Sequence, residues 1–143
     1  MFHNTTRKQI ILVRHAKVLE NEEYTLRDFD RPLSAEGERA NYIVANYLRL
    51  IGIKPDRIVT SPAVRAKATA LGIAKKFHIT GVEESPLLYV GNPIAGRDAM
   101  AVHMDVVRKS KKDCNILMIV GHNNDLTDFA MYLSGESLPS MKK

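Results

Sequence analysis

The sequence is short of the parts that several function classes require. One cysteine in 143 residues, Cys114, excludes an internal disulfide and any metal site built from several cysteines. There is no tryptophan, and aromatic residues make up 6% of the chain, too few to interleave with basic side chains as a stacking surface for nucleic acid. The longest apolar run, Ile116 to Val120, is the size of a strand and far below the ~18 residues of a membrane span. Met1-Phe2-His3-Asn4-Thr5-Thr6 is polar where a secretory signal needs an apolar stretch. Internal repeats, low-complexity tracts and Pro/Gly/Ser linkers are also missing. The expectation is one cytoplasmic domain over residues 1–143, with neither a nucleic-acid nor a membrane partner.

What is present suits a packed domain, with 45% apolar residues and 21 basic against 16 acidic side chains. The net charge of +5 favours an anionic partner without identifying one. The densest basic stretch, Arg108-Lys109-Ser110-Lys111-Lys112, reads as a solvated loop. Three β-branched runs lack alternation: residues 9–13, 57–60 and 115–120. That is the pattern of strands buried on both faces of a parallel sheet. Between them lie helical spacings. Ala40, Ile43, Val44, Tyr47, Leu48 and Ile51 share one face of a helix that Ser34 caps and Gly52 ends.

A second helix follows Pro62, with Ala66, Ala70, Ile73, Ala74 and Phe77 inward. A third runs from about Arg97 to Arg108, and a fourth follows Asn123 with Leu126, Phe129, Ala130 and Leu133. Val82 to Val90, broken by Pro86, reads as a short strand or loop. Strands alternating with helices predict an α/β fold: a three-layer α/β/α sandwich around a mostly parallel sheet.

Each strong strand ends in a polar cluster: Arg14-His15 after the first, Thr60-Ser61-Pro62 with Arg65 after the second, Gly121-His122-Asn123 after the third. Ligands of open α/β sheets bind at the carboxyl ends of strands. If the three strands are neighbours, two arginines, two histidines and two helix N-termini converge there, a set suited to a phosphate oxyanion. Other chemistries lack parts. The chain has no Gly-x-x-x-x-Gly-Lys loop and no paired-His metal motif, Asp28 and Asp30 read as a polar loop, and Ser61 lacks the glycines of a nucleophile elbow. His3, His78 and His103 have no such placement, and Cys114 reads as a packed or edge thiol.

These residues resemble the histidine phosphatase (phosphoglycerate mutase-like) superfamily. The signature is Leu12-Val13-Arg14-His15-Ala16, continued by Thr60-Ser61-Pro62-Ala63-Val64-Arg65-Ala66 with Thr69, and by Val120-Gly121-His122-Asn123. Asp28-Phe29-Asp30-Arg31-Pro32-Leu33 with Gly37, and Leu87-Leu88-Tyr89, are similar to the SixA-type phosphohistidine phosphatases. The resemblance implies a phosphoglycerate mutase-like fold and a phosphatase that uses neither metal nor cofactor. His15 is then the nucleophile, Arg14, Arg65 and His122 hold the phosphoryl oxygens, and Arg31, Ser61 and Asn123 line the substrate site.

Three departures stand out. Ala16 replaces a common Gly, which is acceptable where φ stays negative. Asn124-Asp125 replaces Pro-Gly. The chain stops at Lys143, soon after Leu138-Pro139-Ser140, where relatives continue into a further strand. Ester-cleaving members add a carboxylic acid that protonates the leaving oxygen, and Glu83 and Glu84 lie in that region. A phosphorylated imidazole leaves more readily than an alkoxide and needs less help. The expected substrate is therefore a phosphohistidine on a protein such as a histidine phosphotransfer domain. A small-molecule phosphomonoesterase and a non-catalytic phosphate-binding module are the alternatives.

Overall fold

The structure is a computed structural model that describes residues 8–20, 27–89, 98–110 and 114–142. His3, residues 21–26, residues 90–97 with the expected start of the third helix at Arg97, and Lys111-Lys112 of the basic stretch lie outside the described residues. The three β-branched runs form β1 (Gln9–Arg14), β2 (Arg57–Thr60) and, with the two-residue β3 (Glu83–Glu84) between, β4 (Ile116–Gly121). Every pairing among them is parallel, in the order β1-β4-β2-β3. The helices are α1 (Ala35–Leu50), α2 (Val64–Lys76), α3 (Ala99–Lys109) and α4 (Asp125–Ser134). No helix is long and apolar enough to cross a membrane among the described residues.

The three layers follow from the two faces of the sheet. Ala45 and Leu48 of α1 and Ala66, Ala70, Ile73 and Ala74 of α2 pack with Ile58, Met118 and Val120 on one side. Val106 of α3 and Leu126 and Phe129 of α4 pack with Val59, Leu117 and Ile119 on the other. The sheet residues alternate between these clusters along each strand, which is why the runs are apolar at every position. His103 is fully buried, with its ring 5.3 Å from that of Phe129.

Local signals set the ends of α1. The Ser34 hydroxyl accepts from the Gly37 amide at 3.0 Å, and Gly52 past the C-terminus has φ of +74°. The face of α1 differs from the sequence expectation. Gly37, Asn41, Ala45 and Leu48 are buried, whereas Ile43, Tyr47 and Leu50 are 69%, 60% and 86% exposed. The cause is position. Among the described residues β1 is an edge strand, and a groove of about 620 Å³ opens between it and α1, lined by Ile11, Val13, Ile43, Val44 and Tyr47. Of the segment Val82 to Val90, the described part through Tyr89 forms β3 and a 3-10 turn, Pro86–Leu88.

Candidate active site

Register brings the polar clusters level. β4 lies between β1 and β2, with Gly121 opposite Arg14 and Val120 opposite Thr60. Beyond those pairs the His15 amide donates to the Gly121 carbonyl at 3.0 Å and the Ser61 amide to the Val120 carbonyl at 2.9 Å. His15, Ser61 and His122 therefore leave the sheet side by side, although 107 residues separate the first from the last in sequence.

The His15 ring is buried, and its two nitrogens are fixed in different roles. Nδ1 lies 2.8 Å from the Ala16 carbonyl oxygen, which only accepts, so Nδ1 carries the proton. Nε2 accepts from the Nε–H of Arg65 at 3.3 Å and so presents a lone pair. Together these bonds select the neutral tautomer with the proton on Nδ1 and the lone pair on Nε2. Ala16 meets its condition, since His78 alone has positive φ among the described non-glycine residues.

Arg65, in the first turn of α2, is buried and held on several sides. Nη1 donates to the Asp28 carbonyl at 2.6 Å and Nη2 to the Asp28 carboxylate at 3.0 Å. That carboxylate also accepts from the Tyr89 hydroxyl at 2.7 Å and lies 3.8 Å from Arg31. Partial burial pushes the Asp28 carboxyl up. The hydrogen bonds from Tyr89 and Arg65, with the charges of Arg65 and Arg31, outweigh it and hold the group below the usual carboxylate range. Burial and the hydrogen bond to Asp28 push the Tyr89 phenol up, so it stays a donor. The Tyr89 ring meets those of Phe29 and His122 edge-on at 5.2 and 5.6 Å.

Two hydroxyls set distances within the cluster. Thr69 Oγ1 accepts from the Ala16 amide at 3.0 Å and donates to the Arg65 carbonyl at 2.8 Å, joining the loop of His15 to α2. Ser61 Oγ, fully buried, lies 2.7 Å from His122 Nε2, and the two histidine rings are 5.4 Å apart. The backbone behind His15 rests on α1: Lys17 O accepts from the Ser34 amide, and a Cβ on Gly37 would lie 2.2 Å from that oxygen. Only glycine fits so close an approach.

The remaining sequence candidates are spread around this centre. Arg31 sits at the rim, facing Asp28. Arg14 donates through Nη1 to the Met141 carbonyl at 2.9 Å, and its Nε is buried with no hydrogen-bond partner among the described residues. Asn123 donates to Ser140 Oγ at 2.7 Å and accepts from the Thr127 amide and hydroxyl, tying the segment after α4 to that helix. Glu83 and Glu84 form ion pairs with Arg57 at 2.5 Å and with Lys67 at 2.7 Å. Sequence reasoning missed Asp28 as the partner of Arg65 and Tyr89 as the partner of Asp28, and the only signal for them was membership of motif segments. Among the described residues no group of three or more His, Cys, Asp or Glu is placed to hold a metal ion.

Comparison with known proteins gives the family and the fold. The family model of the histidine phosphatase superfamily (branch 1) matches residues 10–88. The chain belongs to the histidine phosphatase superfamily. An uncharacterised chloroplastic protein of Arabidopsis thaliana is 31% identical over 134 residues, which cover 92% of this chain and 61% of that protein. Among solved structures, a protein histidine phosphatase SixA complexed with tungstate superposes with a TM-score of 0.79 at 20% identity, covering 94% of this chain and 83% of that one. A mycobacterial glucosyl-3-phosphoglycerate phosphatase in complex with VO3 gives 0.67 at 16% identity, covering 95% and 88%. These structural likenesses establish that the chain has the histidine phosphatase fold.

Proposed function

We propose that the protein is a phosphatase that removes the phosphoryl group from phosphohistidine on a protein, through a phosphohistidine intermediate on His15. The observation that carries this reading is the orientation of the His15 ring, with Nδ1–H spent on Ala16 and the Nε2 lone pair facing Arg65. The lone pair of Nε2 attacks phosphorus, the bond from phosphorus to the substrate imidazole breaks, and that imidazole leaves with the electron pair and takes up a proton. Water then attacks phosphorus. The bond to Nε2 breaks, its electron pair returns to His15, and the surplus proton of the water goes to the phosphate and solvent. Arg65 and Arg14, with His122, neutralise charge on the equatorial oxygens, the main demand of phosphoryl transfer. A phosphoryl oxygen supplies an acceptor for the buried Nε of Arg14.

The carboxylates favour a phosphoramidate over an ester. Asp28 is committed to Arg65, Asp30 to Arg27, Glu83 to Arg57 and Glu84 to Lys67. An alkoxide needs a proton donor in the transition state, and an imidazole needs less help. Two proteins of this fold, the SixA complexed with tungstate and the mycobacterial phosphatase complexed with VO3, bind oxyanions, in keeping with a phosphoryl group as the ligand of this reading. A histidine phosphotransfer domain in the cytoplasm is the partner of this reading.

The test sets a phosphorylated histidine phosphotransfer domain beside an aryl phosphate. Loss of phosphohistidine that His15→Ala abolishes is the expected result. Turnover of the ester alone would replace this reading with that of a small-molecule phosphatase. Oxyanion binding without turnover would leave a binding module.

A further inference from the structure

A guanidinium group has two edges that can each grip an oxyanion with a pair of N–H bonds: the end-on Nη1/Nη2 edge and the side Nε/Nη2 edge. In Arg65 they are used differently. The end-on edge is filled by one residue, Asp28, whose carbonyl takes Nη1 and whose carboxylate takes Nη2. The side edge is turned toward the nucleophile, with Nε–H on His15 Nε2. Asp28 is itself fixed from behind by the Tyr89 hydroxyl and faced by Arg31.

We propose that Asp28 is the positioning residue that assigns the edges of Arg65, closing the end-on edge and leaving the side edge for the phosphoryl oxygens beside His15. The assignment rests on His15 as the nucleophile and adds a residue that touches neither substrate nor the reacting nitrogen. Its chemical sense is orientation. A phosphoryl group on Nε2 places two oxygens where Nε–H and the second Nη2–H point, while an arginine gripping by its end-on edge would turn Nε away from the bond being made. Misplacement of about 1 Å in such a group costs about 100-fold in rate. A countercharge role predicts the opposite behaviour toward anions, because removing a negative charge from a cationic site tightens anion binding.

The experiment compares the full chain with Asp28→Ala and Asp28→Asn, using orthovanadate as the oxyanion and the ¹⁵N resonances of the His15 ring as a probe, assigned through His15→Gln. The expected result for Asp28→Ala is vanadate affinity weakened about tenfold, kcat lowered about tenfold to 100-fold, and a shifted His15 Nε2 resonance. Asp28→Asn, which keeps an acceptor oxygen, recovers part of each loss. It also carries the test if the alanine variant does not fold. Unchanged vanadate affinity and an unmoved resonance would overturn the assignment, and so would tighter vanadate binding, which marks a countercharge. If the wild-type protein turns over neither phosphohistidine nor aryl phosphate, the proposed function fails, while vanadate affinity and the His15 resonance still decide the role of Asp28.

Discussion

The carboxyl end of the sheet and the outer flank of α1 solve opposite problems. At the sheet end, side chains from four segments are committed to one another. His15 meets Arg65, Arg65 meets Asp28, Asp28 meets Tyr89, and His122 meets Ser61. At the flank, Ile43, Tyr47 and Leu50 stand in the open beside the groove along β1. The first region is costly to disturb, because each partner lost leaves another buried polar group unpaired. The second costs little, because a side chain already in water loses little when it is trimmed. Hydrophobicity alone therefore misreads where this molecule is sensitive.

The largest expected effect is at the nucleophile. His15→Ala lowers turnover of a phosphorylated histidine phosphotransfer domain by about 10³-fold or more, and an acid-labile, base-stable phosphoenzyme seen in the wild type by ³²P labelling disappears. Residual activity near the wild-type level would break the contrast at its centre. Next is Gly37→Ala, whose new methyl group meets the backbone of Lys17. It destabilises the fold by about 1–3 kcal/mol, read from denaturant midpoints, and lowers turnover because the loop carrying His15 shifts with Lys17.

A smaller effect follows from Asp28. Its carboxyl is held below the usual range in the folded chain, so the stability it contributes is complete above the unfolded value of about 3.9 and is lost as pH falls through the folded value. The gap in urea midpoint between the wild type and Asp28→Asn is therefore expected to close below about pH 4. It is small at every pH, because the side chain is 55% exposed and its charges are screened. The smallest effect belongs to the flank. Ile43→Ser with Tyr47→Ser changes stability by about 0.5 kcal/mol or less and leaves kcat/KM within about twofold. A tenfold loss of activity in that variant would show that the flank and the site are coupled.

Much of the site was legible because its residues sit where strands end, and strand ends are marked by a change from apolar to polar sequence. Residues 9–13, 57–60 and 115–120 gave the strands within one residue, and Arg14, His15, Ser61 and His122 follow from them. Asp28 was not legible as the partner of Arg65, nor Tyr89 as the partner of Asp28. Those links span 37 and 61 residues, and no periodicity connects a polar loop with the segment after Pro86. The face of α1 was misread for another reason. Helical spacing reports that Ile43, Val44 and Tyr47 share a side, and it carries no information about whether the sheet extends beneath them.

The hydroxyl of Thr69 acts as a mechanical link. One oxygen holds the loop after β1 through Ala16 and the first turn of α2 through Arg65, so the segments that carry His15 and Arg65 are pinned to each other. Loss of that one oxygen would therefore loosen two parts at once, the loop of His15 and the first turn of α2.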